Sequence, residues 1–286
     1  MNKETIIEYV MQFNYISRFD KKTYEFVDAT NEMITKDFHS KLCENNITTE
    51  IIVCKESNKT MFCWYSDIDL YKNNTNIPVL YLDAHYDVVH KNMIHPQIIG
   101  NDIIIGSCFD NRASCIVLCQ LIKELGEELR KNKNFVTCII FSDGEESGMT
   151  GICDWYKNYR VPHSKEKFIV LDVSTSLQTE HGDNIGLGVY KFNGDPIEEY
   201  IIDTPIKQQM ATHRENYPDG LCYTHGEMLH SNFHCDVSRI GIPVSEIVGV
   251  PNDCTSSLHK SHTVVSISDI MEYYKKIRNI VININI

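Results

Sequence analysis

Three short apolar runs in this chain each end on a carboxylate or an imidazole, and helical patterning separates them. Val79–Asp83 leads into Ala84-His85-Tyr86-Asp87, Phe135–Phe141 into Ser142-Asp143-Gly144-Glu145-Glu146, and Phe168–Leu171 into Asp172. Runs of this length, rich in β-branched and aromatic residues, read as buried strands. Between the first two, Asn111–Arg130 carries Ile116, Val117, Leu118, Leu121, Ile122 and Leu125 at helical spacing. Strands alternating with helices imply an α/β chain, a three-layer α/β/α sandwich around a central mixed, mostly parallel sheet. Open sheets of that kind bind ligands beyond the carboxyl ends of their strands, which is where these polar residues fall.

The rest of the pattern fits the same plan. Residues 3–13 (Ile6, Ile7, Val10, Met11) and roughly 21–44 (Tyr24, Val27, Met33, Ile34, Phe38, Leu42) repeat at helical spacing. Thr49–Cys54 and Met61–Tyr65 read as strands, Ile98–Ile105 as a hairpin about Gly100-Asn101-Asp102, and Ile152–Tyr159 as a helix. Asp110 stands as the N-cap of the helix after it. Downstream, 195–213 reads as helix, 217–232 as a polar loop, Ile242–Val250 as a late strand, and Ser268–Ile282 as a helix capped by Ser268 and Asp269. No repeat, low-complexity tract or Pro/Gly-rich linker interrupts the pattern, so residues 1–286 read as a single domain. With 42% hydrophobic residues it can bury a sizeable core.

A net charge of −12 argues against a nucleic-acid surface, which needs clustered Lys and Arg, and suits cationic or metal-bound ligands instead. Charged and polar residues recur throughout the first twenty positions, leaving no apolar core of a secretory signal, and no window approaches eighteen continuous apolar residues. The expectation is a cytoplasmic protein with no membrane partner. Eleven cysteines, without paired spacing or a Cys-x-x-Cys motif, read as reduced and mostly buried thiols.

Taken in order, His85, Asp87, Asp110, Glu145, Glu146, Asp172 and His259 point to a hydrolytic site for two divalent ions, zinc or cobalt. Such ions take imidazole and carboxylate ligands, and a pair about 3.5–4 Å apart needs a carboxylate that bridges them. Asp110 is the candidate bridge. His85 and Asp172 would complete one ion, Glu146 and His259 the other, and the pair would lower the pKa of a shared water towards neutrality. Adjacent glutamates are best read as one ligand and one base, so Glu145 is assigned the proton of the attacking water and its return to the leaving amine. Asp87 is suited to accept the hydrogen bond of the imidazole nitrogen that faces away from the metal. Each residue alone has a bland reading: a satisfied His–Asp pair, a solvated Glu-Glu loop, a helix cap. Their recurrence at consecutive element ends is what outweighs those readings.

At these residues the sequence resembles the co-catalytic zinc exopeptidases, and most closely the deblocking or glutamyl aminopeptidase family that includes the tetrahedral particles. The segments that carry the likeness are Leu82-Asp83-Ala84-His85-Tyr86-Asp87, Phe109-Asp110-Asn111-Arg112-Ala113-Ser114-Cys115 and Ser142-Asp143-Gly144-Glu145-Glu146-Ser147-Gly148-Met149-Thr150-Gly151. Val170-Leu171-Asp172-Val173-Ser174 is similar to a further ligand segment, and His259 with Val264-Val265-Ser266 and Asp269-Ile270 to the last one. The resemblance spans about residues 80–275. It implies an α/β/α exopeptidase fold, two divalent ions and removal of N-terminal residues from peptides.

Departures from the family pattern are informative. The family inserts a dimerisation and lid domain between the first His-x-Asp and the bridging Asp, whereas 22 residues separate Asp87 from Asp110 here. That spacing leads to the expectation that no large lid-mediated assembly forms. Thr263 stands where a Glu is expected, and His262 competes with the favoured His259 for the last ligand position. His225, His230 and His234 are candidates to line the pocket, and Ser231-Asn232 replaces an Asp of relatives that contacts substrate. The leading reading is a dinuclear aminopeptidase acting on short peptides. A metal-dependent N-acyl-amino-acid deacylase, suggested by His85-Tyr86-Asp87-Val88-Val89, and a non-catalytic scaffold stand beside it.

Overall fold

The computed structural model describes residues 1–14, 19–20, 25–26, 29–88, 95–147, 150–175, 187–190, 222–224, 227–229, 244–252, 263–284 and 286. Along the chain these form α1 Lys3–Phe13, β1 Phe19–Asp20, β2 Glu25–Phe26, α2 Asn31–Glu44, β3 Glu50–Cys54, β4 Lys59–Tyr65, α3 Ile68–Asn73, β5 Val79–His85, β6 Gln97–Ile99, β7 Ile103–Gly106, α4 Phe109–Lys131, β8 Val136–Ser142, α5 Thr150–Asn158, β9 Glu166–Thr175, β10 Leu187–Tyr190, β11 Cys222–Thr224, β12 Glu227–Leu229, β13 Val244–Asn252, β14 Thr263–Ser266 and α6 Ile267–Asn283.

Seven strands make the main sheet, in the order β10-β13-β9-β5-β8-β4-β3. The inner four run parallel, and β10, β4 and β3 add antiparallel neighbours at the two sides. The two-residue strand period divides the buried side chains between two faces. Leu80, Leu82, Ala84, Ile139, Phe141, Ile169 and Leu171 pack into one core cluster with α1, α2, α4 and α6. Val79, Tyr81, Val136, Cys138, Ile140, Phe168 and Val170 pack into the other, with Tyr71 of α3 and Ile152 and Trp155 of α5. Helices thus cover both faces, as the alternating pattern predicts.

Phe38 of α2 anchors the first cluster. Its ring stacks on Tyr86 at 4.6 Å between centroids and meets Phe13 at 5.6 Å and Phe141 at 5.4 Å, while the Arg112 guanidinium lies 4.7 Å over it. On the far face Tyr81 stacks on Phe168 at 4.2 Å and takes Trp155 edge-on at 5.8 Å.

The sheet opens where the site lies. β5 pairs with β8 through to His85↔Ser142, but with β9 only as far as Asp83↔Val170. β9 runs on beside β13 to Thr175↔Asn252. The ladder between β5 and β9 therefore ends two residues before His85, and a crevice at strand carboxyl ends is where ligands bind in such sheets.

Several boundaries differ from the sequence expectations. The second helix begins at Asn31 rather than near residue 21, because the Thr30 hydroxyl accepts from Met33 N at 3.2 Å and caps it. Helix α3 is too short to show a period in sequence, and Asp67 caps it through Leu70 N at 2.9 Å. β9 continues past Asp172, and the stretch 217–232 contains the antiparallel pair β11–β12. The helix expected over 195–213 lies outside the described residues. Among the described residues no helix is long and apolar enough to cross a membrane. The cysteines expected to be buried largely are: Cys54, Cys63, Cys108, Cys115, Cys119 and Cys138 are free and buried.

Because Phe38 is fully buried among aromatic rings, Phe38→Ala removes contacts that its neighbours cannot replace. A loss of about 3–5 kcal/mol in unfolding free energy is expected, measured by urea denaturation.

Candidate active site

His85 and Ser142 end neighbouring parallel strands in register, so the loops that follow them start side by side. Tyr86 N donates to Ser142 O at 2.8 Å and extends this contact by one residue. The His85 side chain is 4% exposed. Its Nε2 lies 3.2 Å from Asp110 Oδ1 and 3.8 Å from Glu145 Oε2. Its Nδ1 is turned the other way, 3.2 Å from the carbonyl oxygen of Asp87 and 3.4 Å from Asp87 Oδ1. The same Asp87 carboxylate accepts the backbone N–H of Glu145 at 3.3 Å and of Glu146 at 3.2 Å. Donor atoms of His85, Glu145 and Glu146 lie within 4.8 Å of one another, a group that could hold a metal ion.

Local backbone chemistry places each piece. Gly144 has φ +89°, a conformation that favours glycine, and a Cβ there would meet Thr150 Oγ1 at 2.9 Å. At Gly151 a Cβ would sit 1.9 Å from the carbonyl oxygen of Asp143, so glycine lets α5 start directly against the Glu145-Glu146 turn. Beneath the imidazole, the Cys115 thiol donates to His85 O at 3.3 Å. Cys108, two residues before Asp110, has φ +63°, and the Asp110–Asn111 peptide is cis. Asp110 is not the N-cap that its place before an apolar helix suggests: α4 starts at Phe109, Asp110 and Asn111 keep non-helical angles, and the Asp110 carboxylate meets His85.

Burial shapes the charges. Asp83, one alternation below His85 on β5, is pushed up to about 7 by desolvation, opposed by a hydrogen bond with Ser142. Asp143 is also raised, first by burial and then by the nearby Asp87 charge. Lys59 Nζ at 3.6 Å and Thr60 N at 3.3 Å oppose that shift.

Of the residues singled out from sequence, His85, Asp87, Asp110, Glu145 and Glu146 converge. Asp172 lies on β9, paired with Gly249 and two residues past Val170, the partner of Asp83. His259, His262, His225, His230 and His234 lie outside the described residues. Among the buried polar residues with no role in the sequence pattern are Asp83 and Asn111, whose Nδ2 donates to Leu171 O at 2.7 Å. Asn111 had a readable signal, an amide beside a ligand-type carboxylate at the start of an otherwise apolar buried helix face.

Residues 86–275 match the model of the M42 glutamyl aminopeptidase family, about two-thirds of the chain. The chain belongs to that family. It is accordingly a hydrolase, a metal-dependent aminopeptidase, as the motif resemblance implied. The fold agrees with solved structures. The TET aminopeptidase of a marine sediment archaeon of the Thaumarchaeota is similar over 100% of this chain and 98% of its own, with a TM-score of 0.61 at 11% identity. The TET1 peptidase of Pyrococcus horikoshii, which can assemble into a tetrahedron or a large octahedral shell, is similar over 98% of this chain and 100% of its own (TM-score 0.55, 12% identity). A tripeptidase of Staphylococcus aureus gives a TM-score of 0.55 at 12% identity, covering 98% of each chain. No curated protein matches the chain in sequence. The expectation that no large assembly forms gains no support from relatives of this fold that assemble into shells.

Two outcomes follow from this geometry. Gly151→Ala forces α5 and the Asp143 carbonyl apart, and a loss of about 1–3 kcal/mol together with reduced peptidase activity is expected in thermal melts and rate assays. Asp83 has a folded pKa above its unfolded value, so the native state holds its proton and stability falls as pH rises from about 4 through about 7. In metal-free protein, Asp83→Asn flattens that dependence and stabilises the fold at pH 8 relative to pH 5, on the order of 2–4 kcal/mol. Denaturation at the two pH values measures it.

Proposed function

We propose that this chain removes N-terminal residues from short peptides with two divalent ions, zinc or cobalt, and that Glu145 is the general base. The observation that carries this reading is the convergence of Asp110 and Glu145 on Nε2 of one nearly buried imidazole, with Glu146 beside them. One imidazole and several carboxylates at short range make a donor set that suits these ions.

His85, Asp110 and Asp172 would hold one ion, and Asp110, Glu146 and His259 the other. Bound ions supply Lewis acidity and lower the pKa of water. Asp87 orients the site from behind. Its carbonyl and carboxylate face His85 Nδ1, leaving Nε2 for the ligand side, and its carboxylate pins the amides of Glu145 and Glu146. The turn is thereby fixed while both glutamate side chains stay directed at the site. Glu145 takes a proton from the attacking water and returns it to the amine of the departing residue. Free thiols among the described residues support a reducing, cytoplasmic setting.

Glu145→Gln keeps the shape of the side chain and removes its basicity. A fall in kcat of about 10²–10⁴ is expected with metal content unchanged, and chelation abolishes turnover in the wild type. A mixed pool of free-amine peptides and N-acyl amino acids, followed by mass spectrometry, reads the reaction. Stepwise loss of N-terminal residues supports the proposal; release of acyl groups alone, or retained peptidase activity in Glu145→Gln, overturns it.

A further inference from the structure

Asn111 is wholly buried, yet no part of the proposed chemistry uses its side chain. It occupies the point where the sheet comes apart. The β5–β9 ladder stops at Asp83↔Val170, and Leu171, the next residue of β9, has its carbonyl oxygen taken by Asn111 Nδ2 at 2.7 Å. One step further along β9 is Asp172, and the residue just before Asn111 is Asp110, whose carboxylate meets His85 at 3.2 Å. Asn111 therefore links the Asp110 loop to β9 at the level where β5 and β9 no longer hold each other.

From this placement we propose that Asn111 is a positioning residue that sets the separation of His85 and Asp172 across the parted strands, and hence the affinity of the ion held between them. The proposal rests on the two-ion reading of the site. A buried amide-to-carbonyl bond has the geometry for this task, because one short side chain reaches β9 from the backbone that carries Asp110. Asp110 serves both ions, but Asp172, which follows the residue that Asn111 bonds on β9, serves only one of them, so the two binding steps should respond unequally.

The test is zinc titration of metal-free full-length protein by calorimetry, with bound metal counted by mass spectrometry. Asn111→Leu keeps the approximate shape and loses the donor; Asn111→Ala loses donor and bulk, and serves if the leucine variant does not fold. The control is Asn14→Leu, which removes a comparable buried bond, Asn14 Nδ2 to Ser107 O at 2.8 Å, from the same approach to α4. The expected result is one binding step weakened about 10- to 100-fold, the other changed less than about threefold, and no such split in Asn14→Leu. Making the variants in an Asp172→Asn background should erase the split. Equal weakening of both steps, no weakening, or the same split in the control overturns the proposal. A wild type that binds fewer than two ions overturns the two-ion reading itself, an outcome distinct from a failure of Asn111.

Discussion

The carboxylate of Asp87 must satisfy two successive backbone amides and lie beside an imidazole, and this requirement ties together the two loops that follow β5 and β8. It can do so only because β5 and β8 are parallel and end in register at His85 and Ser142. Parallel pairing in turn needs a crossover, supplied by the hairpin β6–β7 and the long helix α4, which returns the chain across the face lined by Leu80, Leu82 and Ala84. A shift of β8 by one residue would move the amides of Glu145 and Glu146 off Asp87 and turn the alternation of Ile139 and Ile140 inside out. Burial of the two core faces and geometry of the site are thus fixed by one register.

The same convergence creates an electrostatic demand. Donor atoms of Glu145 and Glu146 lie within 4.8 Å of each other, and like charges at that range repel by roughly 3–4 kcal/mol at an effective dielectric near 20. Asp110 and Asp87 add further negative charge around His85 in a chain whose net charge is already −12. In the proposed site, the attraction of a divalent cation to each carboxylate would offset these repulsions. Beside this group burial pushes the carboxyls of Asp83 and Asp143 up as well.

The main strands of the sandwich and most of its site were legible in sequence because two strong signals coincided. Val79–Asp83 and Phe135–Phe141 are apolar enough to be read as buried strands without tertiary information, and their polar ends stand out against that background. What was misread depends on single hydrogen bonds. Thr30 starts α2 by capping Met33, and Glu25–Phe26 form β2, so the helix is shorter than the spacing over 21–44 implies. Asp110 was assigned a cap because a carboxylate before an apolar helix usually is one. Only the fold brings His85 within 3.2 Å and gives that carboxylate a different partner. Asn111 is the same lesson in reverse: its place beside a ligand-type carboxylate marks the position, but only the fold shows that its amide bonds a strand sixty residues away.

The short link between Asp87 and Asp110 has a structural counterpart at the other end of the chain. β7 pairs antiparallel with β14, Thr263 opposite Gly106 and Ser266 opposite Ile103. In the turn before β7, Asp102 accepts from Ser266 Oγ at 2.6 Å, Ser268 Oγ at 2.8 Å and Ser268 N at 2.9 Å, while its carbonyl takes Ile267 N at 2.7 Å. One aspartate thus closes the start of α6 onto the hairpin. The segment that follows His259 and His262 in sequence is thereby held alongside the one that leads into Asp110. Under the two-ion proposal such a fastening would matter, because a carboxylate that serves both ions needs the loops on either side of it fixed to each other. The hairpin supplies that fastening with 22 residues between Asp87 and Asp110.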